Sequence, residues 1–377
     1  GMGDVFLAAM HGPNHFRKLC VVKQLRANVS HSSRAREVFA KEAYLAARLN
    51  HPNIVQTYET GEADGSPFIS MEYLEGQTMR SFLAVSRETE LLPDAAVWVR
   101  IVADALLGLH HAHELRDFDG SPLGVIHRDV SPHNLFVTYE GRVCLIDFGA
   151  AKLTLRAGKA ECRTLTGKLG YMAPEYITGG TIDRRSDIFS MGVVLWEALA
   201  GKKMPNAGLA PSECCLARPR VSTENRRVHP HLDAIVAKAL EVDPSRRFPT
   251  ALAMREALED YLVRTRVSAR QDDVGALMAA YFEDDQRKLE ALIKAQVATV
   301  PRVALVGLPS DSCLDHLMEE ESREASGVRP TPVDGVDEGA PFDLRAKKRA
   351  SRDETVNYSR RRATRKRLRT LGLAAAA

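Results

Sequence analysis

Apolar side chains recur at helical spacing in several stretches of this 377-residue chain. Residues 33–49 are apolar at Val38, Phe39 and Leu45, which predicts an amphipathic helix. Residues 186–200 are apolar on nearly every side, a pattern that is typical of a buried helix. The same spacing predicts further helices over residues 94–113, 232–240 and 272–297.

Short apolar runs bounded by turn residues predict strands between these helices. Residues 20–25 form one such run, which carries a single lysine, Lys23. Residues 135–137 and 143–146 form two more, joined by a turn at Glu140-Gly141. The last two runs therefore predict a hairpin in the middle of the chain.

Polar residues flank this hairpin on both sides. Residues 127–134 read His-Arg-Asp-Val-Ser-Pro-His-Asn and precede it, and Asp147 follows it directly. A carboxylate such as Asp129 can accept a proton from a hydroxyl nucleophile. Asn134 and Asp147 offer the hard oxygen ligands that Mg²⁺ prefers. Phosphoryl transfer needs this combination, because it depends on an aligned nucleophile and on cations that neutralise phosphate charge.

Three motifs follow one another in a specific order along the chain: His127-Arg128-Asp129 with Asn134, then Asp147-Phe148-Gly149, then Ala173-Pro174-Glu175. Over about residues 1–265 the chain resembles the bacterial Hanks-type (eukaryotic-like) serine/threonine protein kinases, whose signature set this is. The resemblance implies an α+β, two-lobed kinase fold. We expect a small β-rich lobe that lacks its first strand, and a larger helical lobe.

The resemblance also implies roles for individual residues in phosphoryl transfer that uses ATP and Mg²⁺. Asp129 would orient the substrate hydroxyl and accept its proton, while Asn134 and Asp147 would hold Mg²⁺. Lys23 would contact the ATP phosphates and would be held by an ion pair with Glu42. Taken singly, Lys23 and Glu42 fit ordinary surface charges equally well, and only their place in the order of motifs favours the pair.

The family covers the ATP phosphates with a glycine-rich hairpin. Gly1, Gly3 and Val5 fit the end of that pattern, so we expect the sequence to begin inside this loop. Two glycines alone would also fit a flexible terminus.

Residues 67–76 resemble the last small-lobe strand and the hinge between the lobes. Met71 would be the gatekeeper beside adenine, and the backbone of Glu72 and Leu74 would hydrogen-bond the adenine edge. Plain core packing is an equally good interpretation of Met71 from the sequence alone.

Arg128, beside the catalytic aspartate, marks a kinase that is controlled through its activation segment. The resemblance makes Thr164 and Thr166 candidate phosphosites, since a phosphate there could pair with Arg128 and order the segment. The alternative is that both threonines are unmodified loop residues.

The resemblance assigns structural roles to three residues: Asp187 would anchor the catalytic-loop backbone, and Arg247 would pair with Glu175. Residues 115–124 are longer than the usual connection and contain turn residues, which predicts a surface insertion. His110, His111 and His113 are interpreted as helix-end residues that favour the helix dipole rather than as a metal cluster.

Two positions depart from the family pattern. The family has Lys two residues after the catalytic aspartate, where this chain has Ser131, and Thr where this chain has Lys168 after Gly167. We interpret these as a swap, in which Lys168 supplies the positive charge and Ser131 the hydroxyl. Two unrelated changes that weaken catalysis are the alternative.

Composition agrees with a folded protein, because 45% of residues are hydrophobic and 27% are charged. The six cysteines include no C-x-x-C pair and no Cys/His cluster, so neither a zinc site nor a disulfide framework is indicated. No apolar run reaches the roughly 20 residues of a membrane-spanning helix. The kinase domain is therefore expected to be cytoplasmic.

We divide the chain into a kinase domain at 1–265 (small lobe about 1–74, large lobe about 75–265), a helical extension at 266–297, an acidic disordered linker at 298–343 and a basic tail at 344–377. The basic tail holds twelve Lys or Arg residues and only two acidic residues between positions 345 and 369. This tail could be a solvated segment or could bind nucleic acid, which no motif supports. We favour a third interpretation, the cytoplasmic flank of an inner-membrane anchor that begins at Leu371.

The sequence thus predicts a kinase that phosphorylates Ser or Thr hydroxyls of protein substrates, and that could form a homodimer for autophosphorylation. The rival hypothesis is a pseudokinase, an ATP-binding scaffold without turnover. The complete catalytic set favours the enzyme, whereas the shortened glycine loop and the two departures favour the scaffold.

Overall fold

The structure is a computed structural model that describes residues 3–11, 16–63, 65–89, 93–148, 169–205, 218–299 and 306–307. Its strands are β1 Gly3–His11, β2 Arg17–Leu25, β3 Thr57–Ala63, β4 Ser66–Glu72, β5 Gly76–Thr78, β6 Leu135–Thr138, β7 Val143–Leu145 and β8 Val306–Gly307. Its helices are α1 Ala27–Ser30, α2 Ser33–Arg48, α3 Met79–Glu88, α4 Ala95–His113, α5 Pro174–Thr178, α6 Arg184–Ala200, α7 Val221–Glu224, α8 Pro230–Ala239, α9 Ala251–Thr265 and α10 Gln271–Thr299.

The small lobe is an antiparallel sheet in the order β3-β4-β2-β1, with β8 paired to the outer side of β1. In its register Val5 lies opposite Lys23, and Val21 lies opposite Met71. Directly opposed residues, and residues two apart on one strand, share a face of the sheet. The register therefore brings Lys23, Val5, Val21 and Met71 to one face, which is the face that covers the site.

Helix α2 packs on this sheet through a small apolar cluster. Phe39 and Ala43 of the helix contact Leu25 and Ile69 of the sheet. The Ser32 hydroxyl caps the start of the helix by accepting a hydrogen bond from the Ala35 N–H. The helix ends at Arg48, one residue before the predicted end. Its position on the sheet brings Glu42 close to β2.

The large lobe is built around α4 and α6. The largest side chains of its core include Trp98, Phe189 and Trp196, each almost fully buried. Helix α6 is buried continuously from Ser186 to Leu199, as its all-round apolar sequence predicts. Among the described residues, α4 alone has the length and hydropathy of a membrane span, and 67% of that stretch is buried inside the protein. Burial in the large-lobe core accounts for its apolar composition.

The insertion at residues 115–124 reaches the small lobe. Arg48 of α2 donates to the Arg116 carbonyl at 3.0 Å and forms an ion pair with Asp117 at 3.1 Å. Its guanidinium also lies 4.0 Å from the ring centre of Phe118, a side chain that is otherwise 94% exposed. The predicted surface insertion therefore also links the two lobes at the end of α2.

Helix α10 begins against the turn of the β6–β7 hairpin. Gly141, at the turn, has φ +83°, and a Cβ there would lie 2.0 Å from the Gln271 carbonyl oxygen. Gly275 makes a similarly close approach to the backbone of Glu140. Only glycine at both positions allows the helix and the turn to meet so closely.

The predicted two-lobed α+β architecture is confirmed. Hydrophobic spacing located α2, α4, α6 and α8 to within about two residues, the usual uncertainty at helix ends. It did not predict α3 or α9, both of which belong to the large lobe. Residues 308–377, which include most of the proposed linker and the whole tail, lie outside the described residues.

Candidate active site

Asp187, at the start of α6, holds the catalytic loop in place. Its carboxylate accepts hydrogen bonds from the backbone N–H groups of His127 and Arg128, each at 2.8 Å. Burial alone would raise the pKa of Asp187, but hydrogen bonds from His113 and the loop backbone hold that pKa below its ordinary value. Arg128 has φ +64°, a rare conformation for a non-glycine residue, which these bonds help to maintain.

His113 is the last residue of α4, as predicted, but it also makes a contact that was not predicted. Its side chain is buried, and its Nε2 atom lies 2.9 Å from the Asp187 carboxylate. The contact joins α4 to α6 across the large-lobe core, 74 residues apart in sequence. Helical spacing predicted the end of α4 at His113, but not this partner.

Asp129 and Asn134 are joined directly across the loop. The Asn134 side-chain N–H₂ donates to the backbone carbonyl and to the carboxylate of Asp129, both at 2.8 Å. Because the amide nitrogen is used in this way, the amide oxygen of Asn134 is oriented as the acceptor. The Asn134 carbonyl in turn accepts from the Ile146 N–H at 3.0 Å, which fixes the loop to the residue before Asp147.

His127 and Phe148 pack beneath these polar residues. Their ring centres are 4.6 Å apart, and His127 Nε2 lies 3.2 Å from the Ile146 carbonyl. Burial lowers the pKa of His127, so the neutral imidazole is favoured. Both rings act as packing between the catalytic loop and the strand end that carries Asp147.

Lys23 lies between two carboxylates. Its ammonium is 2.6 Å from Glu42 and 2.5 Å from Asp147. Burial alone would lower the pKa of Lys23, but Asp147 and Glu42 raise that pKa above its ordinary value. Burial, opposed by Lys23 but reinforced by the Asp147 carboxylate, raises the pKa of Glu42 to about 7. The three groups thus hold an excess of negative charge.

A cavity of about 470 Å³ opens beside this cluster, between the lobes. Its polar end carries Lys23, Glu42 and Asp147, and its other walls are largely apolar. The apolar walls include Val5, Val21, Ile54, Val55, Met71, Leu74, Phe136, Ile146 and Leu289. An apolar cavity with charged groups at one end suits a ligand with an aromatic part and an anionic part.

The hinge residues line the same cavity. The Glu72 N–H donates to the Gln56 carbonyl at 2.8 Å, and its carboxylate forms an ion pair with Arg142. The N–H and the side chain of Glu72 are therefore already engaged, which leaves its carbonyl as the group that could meet a ligand. Met71 contributes to the cavity wall and also contacts the core cluster formed by Val55, Leu74 and Cys144. Both interpretations of Met71 describe part of its environment.

Glu175 and Arg247 form a bidentate ion pair away from the cavity, with N–O distances of 2.8 and 2.7 Å. The remaining N–H groups of Arg247 donate to three backbone carbonyls, those of Glu241, Arg185 and Val242. Burial alone would raise the pKa of Glu175, but hydrogen bonds from Arg247 and Ser186 hold that pKa below its ordinary value.

Ser131 lies deep in the site. Its side chain is 1% exposed, and its hydroxyl has no hydrogen-bond partner among the described residues. Buried hydroxyls are normally paired, so a partner is expected from a part of the chain or from a ligand that the structure does not describe. Lys168, the predicted partner, lies outside the described residues, as do Gly1, Thr164 and Thr166. Gly3 lies in β1, against the backbone of Gln24.

Residues 1–261 match the protein kinase domain family. The chain belongs to the protein kinase family. This kinase is 37% identical to the tyrosine-protein kinase MasK of Myxococcus xanthus over 290 residues, which cover 76% of this chain and 45% of MasK. It is 35% identical to the serine/threonine-protein kinase PknB of Mycobacterium tuberculosis over 269 residues, 68% of this chain and 40% of PknB.

Solved structures agree with these relatives. The PknI kinase domain of Mycobacterium tuberculosis superposes with a TM-score of 0.53 and 27% identity, covering 69% of this kinase and 91% of that chain. The predicted bacterial Hanks-type family is confirmed by these similarities. The kinase spans less than half of the length of MasK and PknB.

Proposed function

We propose that this kinase transfers the γ-phosphoryl group of ATP to Ser or Thr hydroxyls of protein substrates, with Mg²⁺ as the metal. The carrying observation is that Lys23, Glu42 and Asp147 lie together at one end of one cavity. The loop that carries Asp129 and Asn134 is joined to this end by the hydrogen bond from the Ile146 N–H to the Asn134 carbonyl. Lys23 and Asp147 are 124 positions apart in the chain. Their convergence supports a catalytic site rather than scattered surface charges.

The donor chemistry fits a Mg²⁺ ion. Asp147 offers a partly exposed carboxylate, and Asn134 offers an amide oxygen whose orientation is set by its bonds to Asp129. Both are hard oxygen ligands of the kind that Mg²⁺ takes beside phosphate. The excess negative charge around Lys23 also favours a cation at this end of the cavity. Bound there, Mg²⁺ would neutralise charge on the phosphate oxygens.

In this proposal each residue has one task. Asp129 accepts the proton of the substrate hydroxyl as the hydroxyl oxygen bonds to the γ-phosphorus and the bond to the β–γ bridging oxygen breaks. Lys23, held by Glu42, binds phosphate oxygens, and its contact with Asp147 is exchanged for them. The hinge carbonyl of Glu72 and the backbone of Leu74 take the adenine edge, and Gly3 and Val5 cover the phosphate side.

The Ser/Thr preference rests on relatives such as PknB and on the serine in the catalytic loop. MasK, which is named a tyrosine kinase, supports tyrosine hydroxyls as the alternative substrate class. We propose Ser/Thr as the substrate class, because the family motifs that this chain carries are those of the serine/threonine type.

A scaffold without turnover is the second candidate, because the hydroxyl of Ser131 stands where the family has an amine. Thermal-shift titration with ATP and Mg²⁺, combined with transfer of radiolabel from [γ-³²P]ATP to a generic protein substrate, separates the two. The enzyme predicts both a shift and transfer. A shift without transfer supports the scaffold, and absence of both overturns the proposal.

Regulation and location are proposed on the sequence. Phosphate on Thr164 or Thr166 would pair with Arg128 and order the activation segment, and the kinase would form a homodimer for autophosphorylation. Mass spectrometry of active enzyme that finds no phosphate on either threonine would contradict this.

The basic tail would flank an inner-membrane anchor of the full-length protein, with the kinase domain in the cytoplasm and no nucleic-acid partner. Recovery of the full-length protein wholly in the soluble fraction of cells would contradict the anchor.

A further inference from the structure

Helix α10 lies outside the matched kinase domain, which ends at residue 261, yet it reaches the nucleotide cavity. Leu289, in its second half, is one of the residues that line that cavity. Hydrophobic spacing did not indicate this contact, because residues 272–297 were predicted only as one more amphipathic helix.

The first half of α10 is anchored firmly in the large lobe. Val274, Leu277, Met278 and Phe282 are all nearly fully buried. Phe82 of α3 lies 5.6 Å from the ring of Tyr281 and 6.4 Å from that of Phe282. With the close backbone contacts at Gly141, these aromatic contacts fix where the helix emerges beside the hinge.

The helix bends at Phe282, whose φ of −121° and ψ of 19° are not helical. After the bend, the partly covered residues as far as residue 295 are Glu283, Gln286, Leu289 and Ile293, and the residues between them are exposed. Their spacing of three and four residues defines one face of a helix. Leu289 on that face lines the cavity.

The hinge residue Tyr73 lies close enough to α10 to be affected by a charge on that helix. The Tyr73 side chain is half-buried, and burial, followed by the nearby Glu75, Tyr139 and Glu290, raises the pKa of Tyr73 to about 12. Glu290 is the residue after Leu289. The second half of α10 therefore runs beside the hinge, where the adenine edge is proposed to bind.

We propose that Leu289 is a nucleotide-binding residue contributed by the C-terminal extension, and that α10 forms one wall of the ATP site. The inference rests on the proposed function, because it names a residue of that same site. Leu289 excludes water from the apolar end of the cavity and adds apolar contact with the bound nucleotide. A methyl-bearing side chain at a partly covered wall would contribute a several-fold gain in affinity.

The test is the Kd for ATP with Mg²⁺, measured by isothermal titration calorimetry on the whole chain for wild type and three variants. Leu289→Ala is expected to weaken binding roughly three- to tenfold. Leu289→Met, which keeps the volume, is expected to retain wild-type affinity. Leu292→Ala is the matched control, because Leu292 lies on the same helix but is 60% exposed.

The melting temperature without nucleotide is measured in parallel, and it should be equal in all four proteins. In turnover, KM for ATP should rise in Leu289→Ala while kcat stays unchanged. Equal Kd in wild type and Leu289→Ala, or an equal loss in Leu292→Ala, overturns the inference and leaves the proposed function standing. Absence of ATP binding in wild type overturns both.

Discussion

Two ion-pair clusters in this kinase carry similar charges but differ in how completely their groups are satisfied. Arg247 has a fully buried side chain, and its five N–H donors are matched by two carboxylate oxygens of Glu175 and three backbone carbonyls. A guanidinium has five such donors, so none is left for a ligand. This cluster is neutral and complete, as a structural ion pair should be.

The Lys23 cluster is neither neutral nor closed. One ammonium faces two carboxylates, and Asp147 keeps 42% of its side chain exposed at the edge of the cavity. Burial, opposed by Lys23 but reinforced by the neighbouring Asp147 carboxylate, raises the pKa of Glu42 to about 7. The comparison teaches that saturation of donors and acceptors, rather than burial or short distance, distinguishes an ion pair that holds the fold from one prepared for a ligand.

The largest expected effect comes from Asp129→Asn, which removes the proton acceptor. We expect kcat for phosphoryl transfer to fall by roughly 10²- to 10⁴-fold, because general-base catalysis typically contributes that much. The Kd for ATP with Mg²⁺ and the melting temperature should change little. A variant with near wild-type kcat would show that Asp129 is not the base.

Arg247→Met tests the closed cluster. Removing one partner of a buried ion pair leaves the other charge unpaired, so we expect a loss of about 3–5 kcal/mol in the free energy of unfolding. Urea denaturation measures this. The double variant Arg247→Met/Glu175→Leu should recover much of the loss, because no buried charge remains. A loss that the second substitution does not relieve would contradict the ion-pair explanation.

The proposed swap is tested by a double-mutant cycle on transfer rate. Lys168→Thr should lower kcat by roughly 10²-fold, because a cation near the transferring phosphoryl group stabilises the transition state. Adding Ser131→Lys should restore much of that rate. The buried hydroxyl of Ser131, which has no hydrogen-bond partner within the described part of the chain, supports a partner at this position. A harmless Lys168→Thr substitution, or additive effects, would rule out the swap.

The smallest effect is the pH dependence of the closed cluster. The pKa of Glu175 is depressed in the folded state below its ordinary 4.5. Its ionised form therefore stabilises the fold above about pH 4.5, and this contribution is lost as pH falls through the folded-state pKa. The difference in unfolding free energy between wild type and Glu175→Gln should shrink below pH 4.5. A difference that does not change between pH 7 and pH 3 would contradict the assignment.

Local sequence was sufficient to predict that the catalytic loop lies near Asp147, because one short hairpin joins residues 127–134 to Asp147. Pairs such as Glu175 with Arg247 came from the resemblance to the family, since no periodicity links residues 72 positions apart. The contacts of His113 with Asp187, of Arg48 with the insertion, and of Leu289 with the cavity were not predicted. Each joins elements whose relative placement depends on packing of the whole lobe, which hydrophobic spacing does not encode.

The proposal that this chain is an active Ser/Thr kinase is tested most directly by phosphoamino-acid analysis. Wild type and Asp129→Asn are incubated with [γ-³²P]ATP, Mg²⁺ and a mixed protein substrate, and the labelled protein is hydrolysed in acid. We predict phosphoserine and phosphothreonine from wild type and almost none from the variant. Label on tyrosine alone, or equal label from both proteins, would contradict the account.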